Sequence, residues 1–204
     1  MNYTKLFVPI LVFSLAISSL TPLFSNKAMA ASLTALSDTQ TTIKAATASN
    51  HDITFTTPTG VTSGQTIVLT WDNSTSVNAS LDYTDIDVLD DGVDVTLAGT
   101  PSGATWGAVR TSGTVITLTN GTTPVAAASV VRIKIGTNAT NQSTGVRQIT
   151  NGSAGTSTLT IAGGTFADSG TISTPIIADD VVNVTATVNQ TITFSVSDNT
   201  IGFG

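Results

Sequence analysis

Six of the thirteen acidic residues fall in one fifteen-residue stretch, "LDYTDIDVLDDGVDV", Leu81 to Val95, and all thirteen are Asp. Carboxylates this dense could bind a hard cation, catalyse, or form the solvated side of a hairpin. Calcium takes carboxylate and carbonyl oxygens, and Asp82, Asp85, Asp87, Asp90 and Asp91 supply five carboxylates within ten residues. The spacing is not that of an EF-hand, and no Glu is present to close a loop bidentately. A glycosidase would need one of two carboxyls raised in pKa inside an apolar cleft, and this run reads as wet. The hairpin is the simpler reading. If calcium binds, Asp85, Asp87 and Asp90 are the expected ligands, joined by Asp179 and Asp180 from a neighbouring loop.

Other catalytic constellations lack parts. The single His, His51, sits beside Asp52 in a strand pattern, and strand neighbours point to opposite faces, so those two cannot form a base and its orienter. His51 reads as an ordinary strand-end residue. There is no Cys nucleophile, no G-x-S-x-G elbow and no glycine-rich phosphate loop. Zinc would need nitrogen or sulfur ligands that the chain scarcely has. A non-enzymatic protein is expected. Carbohydrate binding would need exposed rings, and the candidates are Trp71, Trp106 and Tyr83. Trp71 is in phase with Ile67 and Leu69 and belongs to the core. Trp106 falls opposite Val109 and Ile116, so Trp106 and Tyr83 are the expected sugar-facing residues.

These side chains must be positioned by strands. Forty of the 204 residues are Thr, and β-branched residues fit a pleated, half-buried surface. "HDITFTT" alternates Ile53 and Phe55 against Asp52, Thr54 and Thr56, and "TIVLTW" and "SVVRIKIG" alternate likewise. Residues 31–50 read as a loose leading strand or arm. With Asp91-Gly92 as a type I′ turn, Asp90 faces Val93, Leu89 faces Asp94, Val88 faces Val95, Asp87 faces Thr96 and Ile86 faces Leu97. That register puts Ile86, Val88, Val95 and Leu97 on the core face and Asp87, Asp94 and Thr96 on the solvent face. A second hairpin around Ser112-Gly113 would pair Val109 with Ile116. The longest alternation is near the end, from Val182 to Val196. About ten short strands punctuated by turns indicate an all-β antiparallel sandwich of immunoglobulin-like type. No compositional break marks a linker, so residues 31–204 read as one enlarged domain.

The first thirty residues read as a signal peptide: Lys5, then the apolar "LFVPILVFSLAISSL", then Ala28-Met29-Ala30 before a cut. The expected location is therefore secreted, at the extracellular cell surface. Without residues 1–30, five Lys and Arg remain against thirteen Asp, a net charge of −8. That excludes a phosphate-neutralising nucleic-acid surface and electrostatic attachment to anionic lipid. No membrane contact is expected after cleavage. The absence of cysteine means that a core of 174 residues must hold the fold without disulfides.

The segments "HDITFTTPTGVTSGQTI", "DYTDIDVLDDGVDVTLAGTPSGATWG", "VVRIKIGTNAT", "RQITNGSAGTSTLTI" and "VNVTATVNQTITFSVSDNTIGFG" resemble exported, Thr-rich proteins of uncultured candidate-phyla bacteria of the Patescibacteria type. The resemblance implies an immunoglobulin-like surface module with no assigned activity, and it carries no catalytic residues across. Longer members continue past "IGFG", so the resemblance implies an N-terminal module or a truncated product. Together these readings give a structural or adhesive module, assembling with itself or other surface proteins by strand-edge pairing. A carbohydrate-binding module and a calcium-stabilised domain are the alternatives. Mass spectrometry of the exported protein should find Ala31 at the N-terminus, and a retained Met1 would reject the cleavage.

Overall fold

The computed structural model describes residues 31–179 together with 193 and 195. The expected signal peptide and the alternating run from Val182 lie outside these, apart from those two positions. Among the described residues every regular element is a strand except one 3-10 turn at Tyr83–Asp85. The strands are β1 (Thr34–Gln40), β2 (Ala48–Ser49), β3 (His51–Thr56), β4 (Thr66–Trp71), β5 (Ser76–Val77), β6 (Ile86–Asp90) and β7 (Val93–Val95). They continue as β8 (Leu97–Ala98), β9 (Trp106–Ser112), β10 (Val115–Thr119), β11 (Val130–Ile135), β12 (Ile149–Thr150), β13 (Gly155–Ala162) and β14 (Gly170–Ile176).

One sheet has the order β1-β3-β11-β6-β7 and another the order β14-β13-β4-β10-β9-β8. Strand pairing is antiparallel except between β8 and β9. Period-2 alternation turns one face of each sheet inward. Ile53, Phe55, Ile133, Ile135 and Ile86 from the first sheet and Ile67, Leu69, Ile116, Leu118 and Ile161 from the second are wholly buried in one cluster. Burying each such side chain contributes about 1.5–3 kcal/mol, and there is no disulfide to supplement it. A small third sheet, β2-β12-β5, adds Val77 and Ile149 to the core.

The two sheets are joined along both flanks. On one flank β1 and β14 run side by side in parallel, bridged at Ser32–Ser169 and Lys44–Ile177. On the other the chain itself crosses from β7 into β8 at Thr96.

The β6–β7 hairpin turns through Asp91 (φ 49°) and Gly92 (φ 83°), both left-handed as a type I′ turn requires. Its pairs are Asp90–Val93, Leu89–Asp94 and Val88–Val95, as the sequence predicts. The ladder then stops. Leu97 is buried, but it lies in the other sheet opposite Trp106, so the predicted Ile86–Leu97 and Asp87–Thr96 pairs do not form. Asp87 also departs from expectation. It occupies the outward face, yet it is only 1% exposed because the loop 136–148 lies over it.

The second hairpin is slipped by one residue. Its turn is Gly113-Thr114, and a bulge sets Ser112 opposite Val115 but Arg110 opposite Ile116, leaving Thr111 extra. Val109 therefore faces Thr117 on the outer surface, and Trp106 and Ala108 turn inward.

Two glycine substitutions separate strain from crowding. At Gly92 an added Cβ meets nothing within 4 Å, so Gly92→Val should cost only backbone strain, about 1–3 kcal/mol. At Gly152 the added Cβ would sit 1.6 Å from the Asn73 carbonyl oxygen, so Gly152→Ala should lower the urea midpoint more.

Candidate functional site

The Asp-rich stretch is a set of clamps on backbone N–H groups. Asp82 starts the 3-10 turn, its Oδ1 accepting from Thr84 N at 2.8 Å and Thr84 Oγ1 at 2.6 Å. Asp85 closes the capping box, its Oδ2 accepting from Asp82 N at 3.2 Å. Its Oδ1 reaches across to accept from Val146 N at 2.8 Å and Arg147 N at 3.0 Å, and the residue is fully buried. Asp87 accepts from Thr140 N at 2.7 Å and from Asn141 N at 3.1 Å. Asp91 accepts from Val130 N at 2.8 Å and Ser129 Oγ at 3.1 Å.

The expected calcium ligands are thus not gathered. Asp85 and Asp87 both hold the 136–148 loop, whereas Asp90 lies at the hairpin end of β6. Burial raises the pKa of Asp90, and the neighbouring Asp91 charge adds to the rise. Asp179 lies instead 3.8 Å from Lys44 Nζ, beyond β1, and Asp180 is outside the described residues. Among the described residues no three His, Asp or Glu side chains approach closely enough to share a metal.

His51 has a partner that sequence neighbours could not reveal. It is 1% exposed, and its Nδ1 lies 2.8 Å from Asp38 Oδ2 on β1. Gln40 Nε2 donates to the same oxygen at 3.1 Å. The imidazole meets Trp71 edge-on, with ring centroids 5.7 Å apart. Among the described residues, His51 Nε2, Asp38 Oδ1 and Trp71 Nε1 are buried without a hydrogen-bond partner. The predicted obstacle to a His51–Asp52 pair stands, since Asp52 is on the opposite face bound to Arg132 Nε at 2.7 Å. The imidazole faces the core and is closed to solvent.

The expected sugar platform does not assemble either. Trp106 is 1% exposed, because the β9 bulge turns it inward beneath a groove lined by Val93, Val95, Thr96 and Val125. Tyr83 is half-buried against the core and lines a different, shallow depression of about 270 Å³ beside Leu81 and Arg110. Trp71 is buried, as predicted.

Other polar anchors carry only a weak sequence signal, the Asn-Gly pairs at 120–121 and 151–152. Asn120 Nδ2 donates to Val61 O at 2.8 Å, and Asn151 Nδ2 to Thr42 O at 2.9 Å. Asp168 is fully buried and accepts from Thr57 Oγ1 at 2.7 Å, Thr59 N at 3.0 Å and Thr59 Oγ1 at 2.8 Å. Burial by itself would raise its pKa, but these bonds outweigh burial and hold it below the usual carboxylate value.

The two outer faces differ in charge. On the five-stranded sheet Asp52, Arg132 and Lys134 are adjacent in register, with Arg132 forked onto Asp52. On the six-stranded sheet the outward positions of β13, β4 and β10 are Thr156, Thr158, Thr160, Ala162, Thr66, Val68, Thr70, Val115, Thr117 and Thr119. None is ionisable. They align in rows across strands, such as Thr171–Thr160–Thr70–Val115 and Ala162–Val68–Thr117–Val109.

Two tests follow from the clamps. Asp87→Ala strands the N–H groups of Thr140 and Asn141 and should cost roughly 2–4 kcal/mol in denaturant unfolding. Asp168 and Asp52, the latter lowered chiefly by its Arg132 hydrogen bond, both have depressed folded pKa values. Their stabilisation is present above the unfolded value of about 3.9 and is lost as pH falls through the folded value. The melting temperature should therefore drop below about pH 4, and less steeply in Asp168→Asn.

No protein-family model and no curated protein matches the chain. Among solved structures it is similar to BslA, described as a bacterial hydrophobin, with 14% sequence identity and a TM-score of 0.39, over 70% of this chain and 95% of that one.

Proposed function

We propose that the chain is a non-enzymatic structural or adhesive module of the cell surface, an immunoglobulin-like sandwich whose contact surface is the uncharged face of the six-stranded sheet. One observation carries this reading: a chain with thirteen Asp presents a sheet face whose three central strands hold no ionisable outward residue. Like-charge repulsion between copies is smallest there, and Thr methyl and hydroxyl groups allow both apolar contact and hydrogen bonding.

Six strands about 4.8 Å apart and some six residues long at about 3.3 Å each give roughly 600 Å². A stable pairwise interface needs about 800 Å² per partner, so one such contact is weak. Many copies on one surface would make it effective through multivalency. Strand-edge pairing has less support. The edge strands β7 and β8 are three and two residues long, and the edges β1 and β14 lie against each other. The closing "TITFSVSDNTIGFG", which could add to a sheet edge of a neighbouring molecule, lies outside the described residues, save 193 and 195. Calcium and carbohydrate are not part of this reading, because Asp85 and Asp87 already hold backbone N–H groups and Trp106 is buried.

Placing Lys at Thr70, Thr117 and Thr160 together tests it. The triple variant should stay folded and melt within about 6 °C of the parent, since surface changes usually cost under about 0.5 kcal/mol each and 1 kcal/mol is worth roughly 2–4 °C in a chain of this size. It should also lose envelope retention and concentration-dependent sedimentation. Unchanged retention and sedimentation in a folded triple variant would reject the face.

A further inference from the structure

Asp168 is a wholly buried carboxylate whose described side-chain partners are the neutral hydroxyls of Thr57 and Thr59. Besides these and Thr59 N, the backbone nitrogen of Ala31 hydrogen-bonds to it. Ala31 is fixed in that place by its neighbours. Ser169 N donates to Ala31 O at 3.0 Å, Leu33 N donates to Ser169 O at 2.9 Å, and Ser32 bridges Ser169. An added Cβ at Gly170 would lie 2.5 Å from Leu36 Cδ2, so the chain closes tightly there.

Ala31 is also the residue that cleavage after Ala30 would leave at the N-terminus. We propose that Asp168 is the receptor for the Ala31 α-ammonium group, so that removal of the signal peptide completes a buried ion pair and locks the start of β1 beside β14. This rests on cleavage after Ala30. In that step a signal peptidase adds water across the Ala30–Ala31 peptide bond: the hydroxyl goes to the Ala30 carbonyl carbon, and the Ala31 nitrogen leaves as an amine that takes up a proton. One neutral N–H becomes a cation with three donors beside a buried carboxylate that the folded chain has already placed. A buried charge without an opposite charge is costly, and a charge-assisted hydrogen bond is about twice as strong as a neutral one.

Three chains test the pair: one starting at Ala31, one with a single Gly before it, and one starting at acetylated Ala31. The first should melt about 4 °C or more above the other two. Its α-amine should also react with an acylating reagent at pH 8 about fivefold more slowly than an unfolded peptide with the same start, as for an amine pKa raised by one unit. The melting gap should close when Asp168→Asn is placed in all three. If that variant does not fold, amine reactivity decides. Equal melting temperatures, or peptide-like reactivity, would overturn the ion pair. N-terminal sequencing of the exported protein tests the processing separately: Ala31 supports it, and any other start overturns the coupling to cleavage whatever the melting data give.

Discussion

A loop laid over a sheet buries backbone N–H groups that must find acceptors, and here Asp carboxylates supply them. Asp85 and Asp87 meet four N–H groups of the 136–148 loop from one strand and the turn before it. Asp91 does the same for the start of β11, and Asp168 for the loop after β3. An ionised carboxylate accepts several bonds at once, and bonds to a charged acceptor are stronger than neutral ones. Asp suits this better than Glu. Its carboxylate carbon is bonded directly to Cβ, so less rotamer freedom is lost in holding it still. The chain has no Glu and no Cys, and these short acids supply local constraints of a kind that crosslinks provide elsewhere.

That constraint also accounts for β6. The strand has Ile86 and Val88 on the core and Asp87 beneath the loop, and is buried on both faces. A strand in that position cannot be a flexible edge. The hairpin it begins is carried only as far as Val95 before the chain passes to the opposite sheet. The sandwich is thereby tied through its own backbone on one flank and by strand bridges on the other.

The sequence was most informative where one local rule decided the outcome. Alternation identified β3, β4 and β11, and Asp-Gly with its left-handed torsions predicted three consecutive pairs of the β6–β7 ladder. It was least informative where a distant segment intervened. Asp87 has an outward-facing position in every local pattern, and only a loop fifty residues later makes it buried. Trp106 turned on a single extra residue at Thr111, because a bulge shifts which parity faces inward and leaves no compositional mark. His51 was judged against its neighbour Asp52, while its partner came from β1, a segment whose weak periodicity gave no register. The carboxylate cluster was visible as a cluster, but whether such oxygens face a cation or an amide depends on what folds onto them.

The parallel placement of β1 and β14 has a mechanical consequence. A tension applied at residue 31 and at residue 179 pulls on the start of one strand and beyond the end of its parallel neighbour. The load then runs along both strands in opposite directions, as shear. Contacts between them must yield together over about 20 Å of strand instead of opening one after another from an end. The same two segments arranged antiparallel would peel. Pulled between those two ends, the chain would thus resist extension at the seam where its first and last described strands meet.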